Sequence, residues 1–155
     1  MTETIGVVGV LVIRVINGET KYLLARRLGR LEHGRFSPPG GHILPGESLK
    51  EAGAREALEE SSLKIPIDSL EEIYEGIHEF NDQGLSFLYH GFRVLLTEEM
   101  GEAQDTEPDK REKWEWCPRE ITPLSLSAQA LLEANRVYEQ SAQPKVIRKN
   151  YSVDR

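Results

Sequence analysis

GHILPGESLKEAGAREALEESSL, residues Gly41 to Leu63, decides how this chain is read. A glycine opens the stretch and Glu47 follows. Ser48 and Glu51 then form the S-x-x-E capping box that starts a helix, so the spacing predicts a helix from about Leu49 to Ser62. An α-helix turns roughly 100° per residue, which puts Glu56, Glu59 and Glu60 within one arc about 100° wide, with Arg55 beside them. Like charges three and four residues apart cost a helix about 0.2–0.5 kcal/mol per pair, and no lysine stands at that distance to relieve Glu56. A lone ExxEE ordinarily only faces water. Here the accepted repulsion also suits a helix face that holds a cation. Ala54, Ala57 and Leu58 fall on the side away from the carboxylates and are expected to pack on a sheet.

The whole stretch follows Gly-x5-Glu-x7-Arg-Glu-x-x-Glu-Glu. It resembles the signature of the Nudix hydrolase family, G-x5-E-x7-R-E-U-x-E-E-x-G-U, in which U is a bulky aliphatic residue. Gly41, Glu47, Arg55, Glu56, Glu59, Glu60 and Leu63 match. Ala57 is small where the pattern has bulk, and Ser62 stands where glycine is usual, at the helix end. The resemblance implies an α+β fold: an α-β-α sandwich with a mixed central sheet, a loop-helix-loop signature and a C-terminal closing helix. It also implies Mg2+, with Mn2+ as a substitute, held by Glu56, Glu60 and the carbonyl of Gly40. Glu59 would bind a second ion or hold a metal-bound water, Arg55 would clamp a signature glutamate, and Glu47 would support the turn or bind a further metal through water. The implied reaction is hydrolysis of a nucleoside diphosphate linked to another moiety.

N-terminal to the signature, Ile5 to Ile16 is nearly continuous and β-branched, as a central strand should be. Asn17-Gly18 signals a hairpin turn, and Lys21 to Arg26 reads as the return strand. Arg27 to Arg35 is a basic loop: either a solvated connection or a phosphate clamp, since the guanidinium fork suits phosphate oxygens. Strand alternation points one of Arg26 and Arg27 inward, and Arg27 is the preferred substrate contact. Pro38-Pro39-Gly40-Gly41 is a rigid entry whose glycines permit close backbone approach. Gly41 and His42 are the other candidate substrate contacts. There is no Walker or dinucleotide glycine motif.

Beyond the signature, Glu72 to Phe80 and Leu85 to Leu96 read as a hairpin across Asn81–Gly84. Phe87, Tyr89 and Phe92 are read as core. His78 and His90 lack zinc spacing. Thr97 to Lys113 is an acidic polar loop, and Trp114-Glu115-Trp116 alternates as a strand with both rings on one face. A Glu-rich loop before WEW-x-P resembles the nucleoside-triphosphate (MutT-like) branch of the family, in which a loop glutamate acts as base or extra ligand. Glu112 is the first candidate and Glu107 the second. Ser125 to Gln140 has apolar residues at helical spacing. Residues 1–140 are thus expected to form one domain, followed by a basic tail, 141–155, that hangs loose or reaches a partner in a homodimer.

Composition bounds the function. The chain has 155 residues, 39% hydrophobic and 29% charged, with net charge −7, the profile of an ordinary globular domain. An acidic chain is poorly suited to nucleic-acid polymers, whose binding rests on lysine and arginine. A small nucleotide remains a suitable partner, because a metal can neutralise its charge locally. Cys117 is the single cysteine and reads as a small hydrophobe. The first residues lack a basic n-region and a cleavage site, and no apolar run spans a bilayer, so no membrane association and a cytoplasmic location are expected. The leading expectation is Mg-dependent hydrolysis of nucleoside triphosphates, oxidised or modified dNTPs included, to monophosphate and pyrophosphate. Hydrolysis of ADP-ribose or a nucleotide sugar is the alternative enzyme, and a non-catalytic nucleotide-sensing module is the alternative of another class.

Overall fold

The computed structural model describes residues 3–155. Strand β1 (Thr4–Ile16) runs through the middle of the sheet. Its alternate residues Val7, Leu11 and Ile13 face one apolar layer, while Val8, Val10 and Val12 face another. A strand covered on both sides needs an unbroken apolar run, which explains the first strand's sequence. At its end Asn17 and Gly18 both take positive φ, 51° and 79°, the backbone a two-residue hairpin turn requires. β2 (Glu19–Arg26) returns antiparallel to β1.

Two short strands follow. β3 (Phe36–Ser37) pairs with β2, and β4 (Gly40–His42) pairs with β1 in the register Val8 to Gly41. β5 (Glu71–Phe80) and β6 (Leu85–Leu95) form the expected hairpin, and β6 lies parallel to β1. β7 (Glu115–Cys117) adds to the other side of β2. Helix α1 (Leu49–Ser61) packs on the Val8-Val10-Val12 face through Ala52 and Ala57. Helix α2 (Leu126–Gln140) packs on the opposite face through Ala128, Ala130, Leu131 and Ala134. The architecture is the expected α-β-α sandwich around a mixed sheet. Trp114 and Trp116 both pack into the α1 layer, as period two requires.

Three expectations change. Leu58 does not pack on the sheet; it is 48% exposed. The buried stripe of α1 is Ala52, Gly53, Glu56, Ala57, Glu60 and Ser61, so the small residues and two carboxylates share the inward face. The helix stops at Ser61, and Ser62 takes the left-handed conformation, φ 64°, which is what glycine ordinarily does at that place. The basic tail does not hang loose. It adds β8 (Ile147–Arg148) and β9 (Tyr151–Val153), parallel to β5, to the same sheet. The backbone N–H of Ile77 donates to Asn150 Oδ1 at 2.8 Å, the Tyr74 hydroxyl donates to the Lys149 carbonyl, and Tyr151 packs on Tyr74 and His78. These contacts outweigh the segment's charge. Among the described residues no helix is long and apolar enough to cross a membrane.

Candidate active site

The capping box fixes where the α1 carboxylates point. Glu51 N–H donates to Ser48 Oγ at 3.1 Å, and Ser48 N–H donates to Glu51 Oε1 at 2.8 Å. Two turns on, Glu56 and Glu60 reach the backbone of β4. Glu60 Oε1 accepts the Gly40 N–H at 2.7 Å. A Cβ on Gly41 would stand 2.5–2.7 Å from the carboxylate atoms of Glu56, so glycine is what lets Glu56 approach. In an extended strand one residue's N–H and C=O leave the same edge, so the Gly40 carbonyl lies on the Glu60 side. Glu56 and Glu60 are 9% and 7% exposed. Burial raises the pKa of both. Glu60 is pushed to about 7, with the Arg111 guanidinium and the Gly40 N–H opposing the shift. Keeping a pair of acids buried without full compensation is costly.

Arg55 organises the other side of the cluster. Its Nε and Nη2 grip Glu47 Oε2 and Oε1 at 2.5 and 3.0 Å, Nη1 donates to Glu56 Oε1 and Glu59 Oε2 at 3.0 and 3.1 Å, and Nη2 donates to the His42 carbonyl at 2.9 Å. The Arg55 hydrogen bonds hold the Glu47 carboxyl below its ordinary pKa. Glu47 Oε1 also takes the Leu44 N–H at 2.8 Å, which ties the turn to the helix. Glu59 keeps its side chain 56% exposed.

A cavity of about 440 Å3 opens beside this cluster. Glu60, Gly40, Gly41 and His42 line it, together with Phe80, Phe87, Tyr89 and His78. Arg27 is also among the lining residues, with Nε donating to the Leu31 carbonyl at 2.9 Å, while Arg26 stands over the ring of Phe36. Tyr89 belongs to the core and Phe87 packs against it, and both also line the cavity, whereas Phe92 and Phe36 are core alone. His78 stacks on Tyr89 with ring centroids 5.0 Å apart, and burial lowers its pKa to about 4. It is a neutral wall residue.

The loop before β7 departs from expectation. Glu112 does not reach the cluster; its carboxylate pairs with Arg26 at 3.6 Å on the outer side. The reason is a β-bridge between Arg27 and Arg111. Residues next to each other on an extended segment face opposite ways, so Arg111 points into the cavity and Glu112 points out. Arg111 Nη2 donates to Glu60 Oε2 at 2.6 Å and its Nη1 to Glu107 Oε1 at 3.1 Å. Glu107, the second candidate, is thus the loop acid held close to Glu60. Sequence reasoning passed over Arg111 because nothing in the loop's composition reveals the bridge to Arg27. Among the described residues no three or more His, Cys, Asp or Glu side chains converge on one point; the pair Glu56 and Glu60 meets backbone instead.

Known structures share the fold. The fold is similar to that of a MutT Nudix hydrolase from Burkholderia pseudomallei, at 22% identity, covering 85% of this chain and 98% of that one with a TM-score of 0.75. It is similar to the Nudix domain of Shewanella oneidensis NrtR, solved with ADP-ribose, at 19% identity, covering 88% and 89% with a TM-score of 0.74. It is also similar to an Ap4A hydrolase of C. elegans, at 22% identity, covering 88% and 98% with a TM-score of 0.60. The profile of the NUDIX domain matches residues 7–138, most of the chain, and the chain belongs to the Nudix family.

Proposed function

We propose that this Nudix enzyme hydrolyses nucleoside triphosphates, oxidised or otherwise modified dNTPs among them, to a nucleoside monophosphate and pyrophosphate. One observation carries the reading. One cavity is lined by the buried Glu60 beside Gly40, Gly41 and His42 and also by the rings of Phe80, Phe87 and Tyr89, and a triphosphate joined to a flat base has that mix of chemistry.

The donor set fits a hard divalent cation. Glu56, Glu60 and the Gly40 carbonyl supply only oxygen, and magnesium takes one or two carboxylates with the rest of its shell from substrate and water. Mn2+ would substitute. When bound, such an ion neutralises the diphosphate and makes a water more acidic. The chain's own residues do the rest. Gly41 leaves room for Glu56, and Arg55 holds Glu47, Glu56 and Glu59 in one arrangement. Glu59, anchored by Arg55 with its side chain half open to solvent, would take the proton of the attacking water. Arg27 and the backbone of Gly41 and His42 face the cavity for phosphate or sugar contacts. Phe87, Phe80 and Tyr89 exclude water around the base.

A substrate panel tests this reading. It comprises dNTPs, oxidised and methylated dNTPs, ADP-ribose, nucleotide sugars and dinucleoside polyphosphates, each incubated with Mg2+ and with products identified. Pyrophosphate and monophosphate from triphosphates support it. Turnover of ADP-ribose or a nucleotide sugar alone would replace it with the alternative enzyme. Tight nucleotide binding without hydrolysis would make the chain a sensor.

A further inference from the structure

Both oxygens of Glu60 are already engaged. Oε1 takes the Gly40 N–H at 2.7 Å and Oε2 takes Arg111 Nη2 at 2.6 Å. The first contact belongs to the rigid β4 entry. The second belongs to a long side chain on a loop. Arg111 is gripped at two more points: Nη1 lies 3.1 Å from Glu107 Oε1, and the guanidinium stands over the Trp114 ring, 5.2 Å from its centroid. Trp114 Nε1 in turn donates to the Glu60 carbonyl at 2.9 Å. Arg111 also lines the cavity, with Gly40 and Gly41.

We propose that Arg111 and the divalent cation exchange at Glu60, and that the displaced guanidinium, still held by Glu107, binds a substrate phosphate. This rests on the reading of Glu56 and Glu60 as the metal site. Two positive groups on one carboxylate oxygen repel strongly in a poorly hydrated pocket, so one must leave, and Arg111 is the partner with rotatable bonds. Glu107 limits how far it goes. A guanidinium released into the cavity presents a planar fork that matches two phosphate oxygens. Metal and substrate binding would thereby be ordered: Arg111 would leave Glu60 when the cation is bound there, and would then complete the phosphate site.

The test uses the full chain, with Mn2+ alone and inorganic pyrophosphate on Mn2+-saturated protein as probes. Arg111→Met is expected to tighten Mn2+ binding by about tenfold and to weaken pyrophosphate binding by about tenfold. A purely structural role for Arg111 would move both affinities the same way. Arg111→Lys keeps the charge and loses the fork; it should leave Mn2+ affinity near wild type and still weaken pyrophosphate. Lys110→Met removes a neighbouring charge whose Nζ lies 2.9 Å from Glu107, and should change Mn2+ affinity by less than about twofold because exposed charges are well screened. Equal Mn2+ affinity in wild type and Arg111→Met overturns the exchange. So does an equal gain in Lys110→Met, or a joint loss of both probes. If Mn2+ binds neither wild type nor Arg111→Met, the metal site itself is refuted and the exchange falls with it.

Discussion

Glu47 and Arg55 form a two-pronged ion pair, with Nε to Oε2 at 2.5 Å and Nη2 to Oε1 at 3.0 Å. The remaining Arg55 nitrogen reaches Glu56 and Glu59, so one planar group fixes three carboxylates from two elements. Lysine cannot reproduce that fork. Arg55→Lys is expected to lower Mn2+ affinity and kcat/KM by about 10–100-fold, the usual cost of losing a partner that orients a ligand. Metal titration and steady-state kinetics on the same preparation check it.

Gly41 supports the site by what it lacks. A methyl there would meet the Glu56 carboxylate at 2.5–2.7 Å, closer than van der Waals contact allows. The displaced atoms are the end of a side chain, so the fold can yield. Gly41→Ala should therefore lose more than about tenfold in kcat/KM, roughly 1.4 kcal/mol of barrier, with little change in melting temperature. Kinetics beside thermal unfolding separates the two effects.

The loop acids differ in reach. Glu112 pairs with Arg26 outside the cavity, and Glu112→Ala should cost less than about threefold, within the range of surface changes. Glu59→Gln removes the proposed base and should cost about 10²–10⁴-fold in kcat. Comparing the two kcat values decides which carboxylate serves.

His78 sets an acid limit on the fold. It is 2% exposed, and burial brings its pKa from 6.5 down to about 4. Its folded pKa lies below its unfolded one, so between those values the unfolded chain takes up a proton that the folded chain refuses. Stability is full above about pH 6.5 and falls as pH drops towards 4, by about 3 kcal/mol if the burial is maintained. Chemical denaturation across this window should show the loss, and His78→Phe should flatten it.

Much of this was legible in the sequence, for physical reasons. The unbroken β1 run marked a strand covered on both faces, and the Ser48–Glu51 box fixed where α1 begins and so set Glu56 and Glu60 on one face of it. Local signals could not show which helix face was inward: Leu58 is bulky yet exposed, while Glu56 is buried against Gly41. Nor could they show pairing between distant segments. The bridge of Arg27 to Arg111 turned Glu112 outward, and β8 and β9 found β5 from more than sixty residues away through Asn150 and Tyr151. Both depend on tertiary contacts that composition averages out.

The central claim is that Glu56 and Glu60 hold the metal on which hydrolysis depends, and Glu60→Gln tests it most directly. The amide keeps the size of the side chain and an acceptor for the Gly40 N–H. With Mg2+ and the preferred triphosphate, wild type should release monophosphate and pyrophosphate, and Glu60→Gln should lose at least about a thousandfold in kcat, roughly 4 kcal/mol, with an unchanged circular dichroism spectrum. A folded Glu60→Gln protein that turns over within tenfold of wild type would contradict the account.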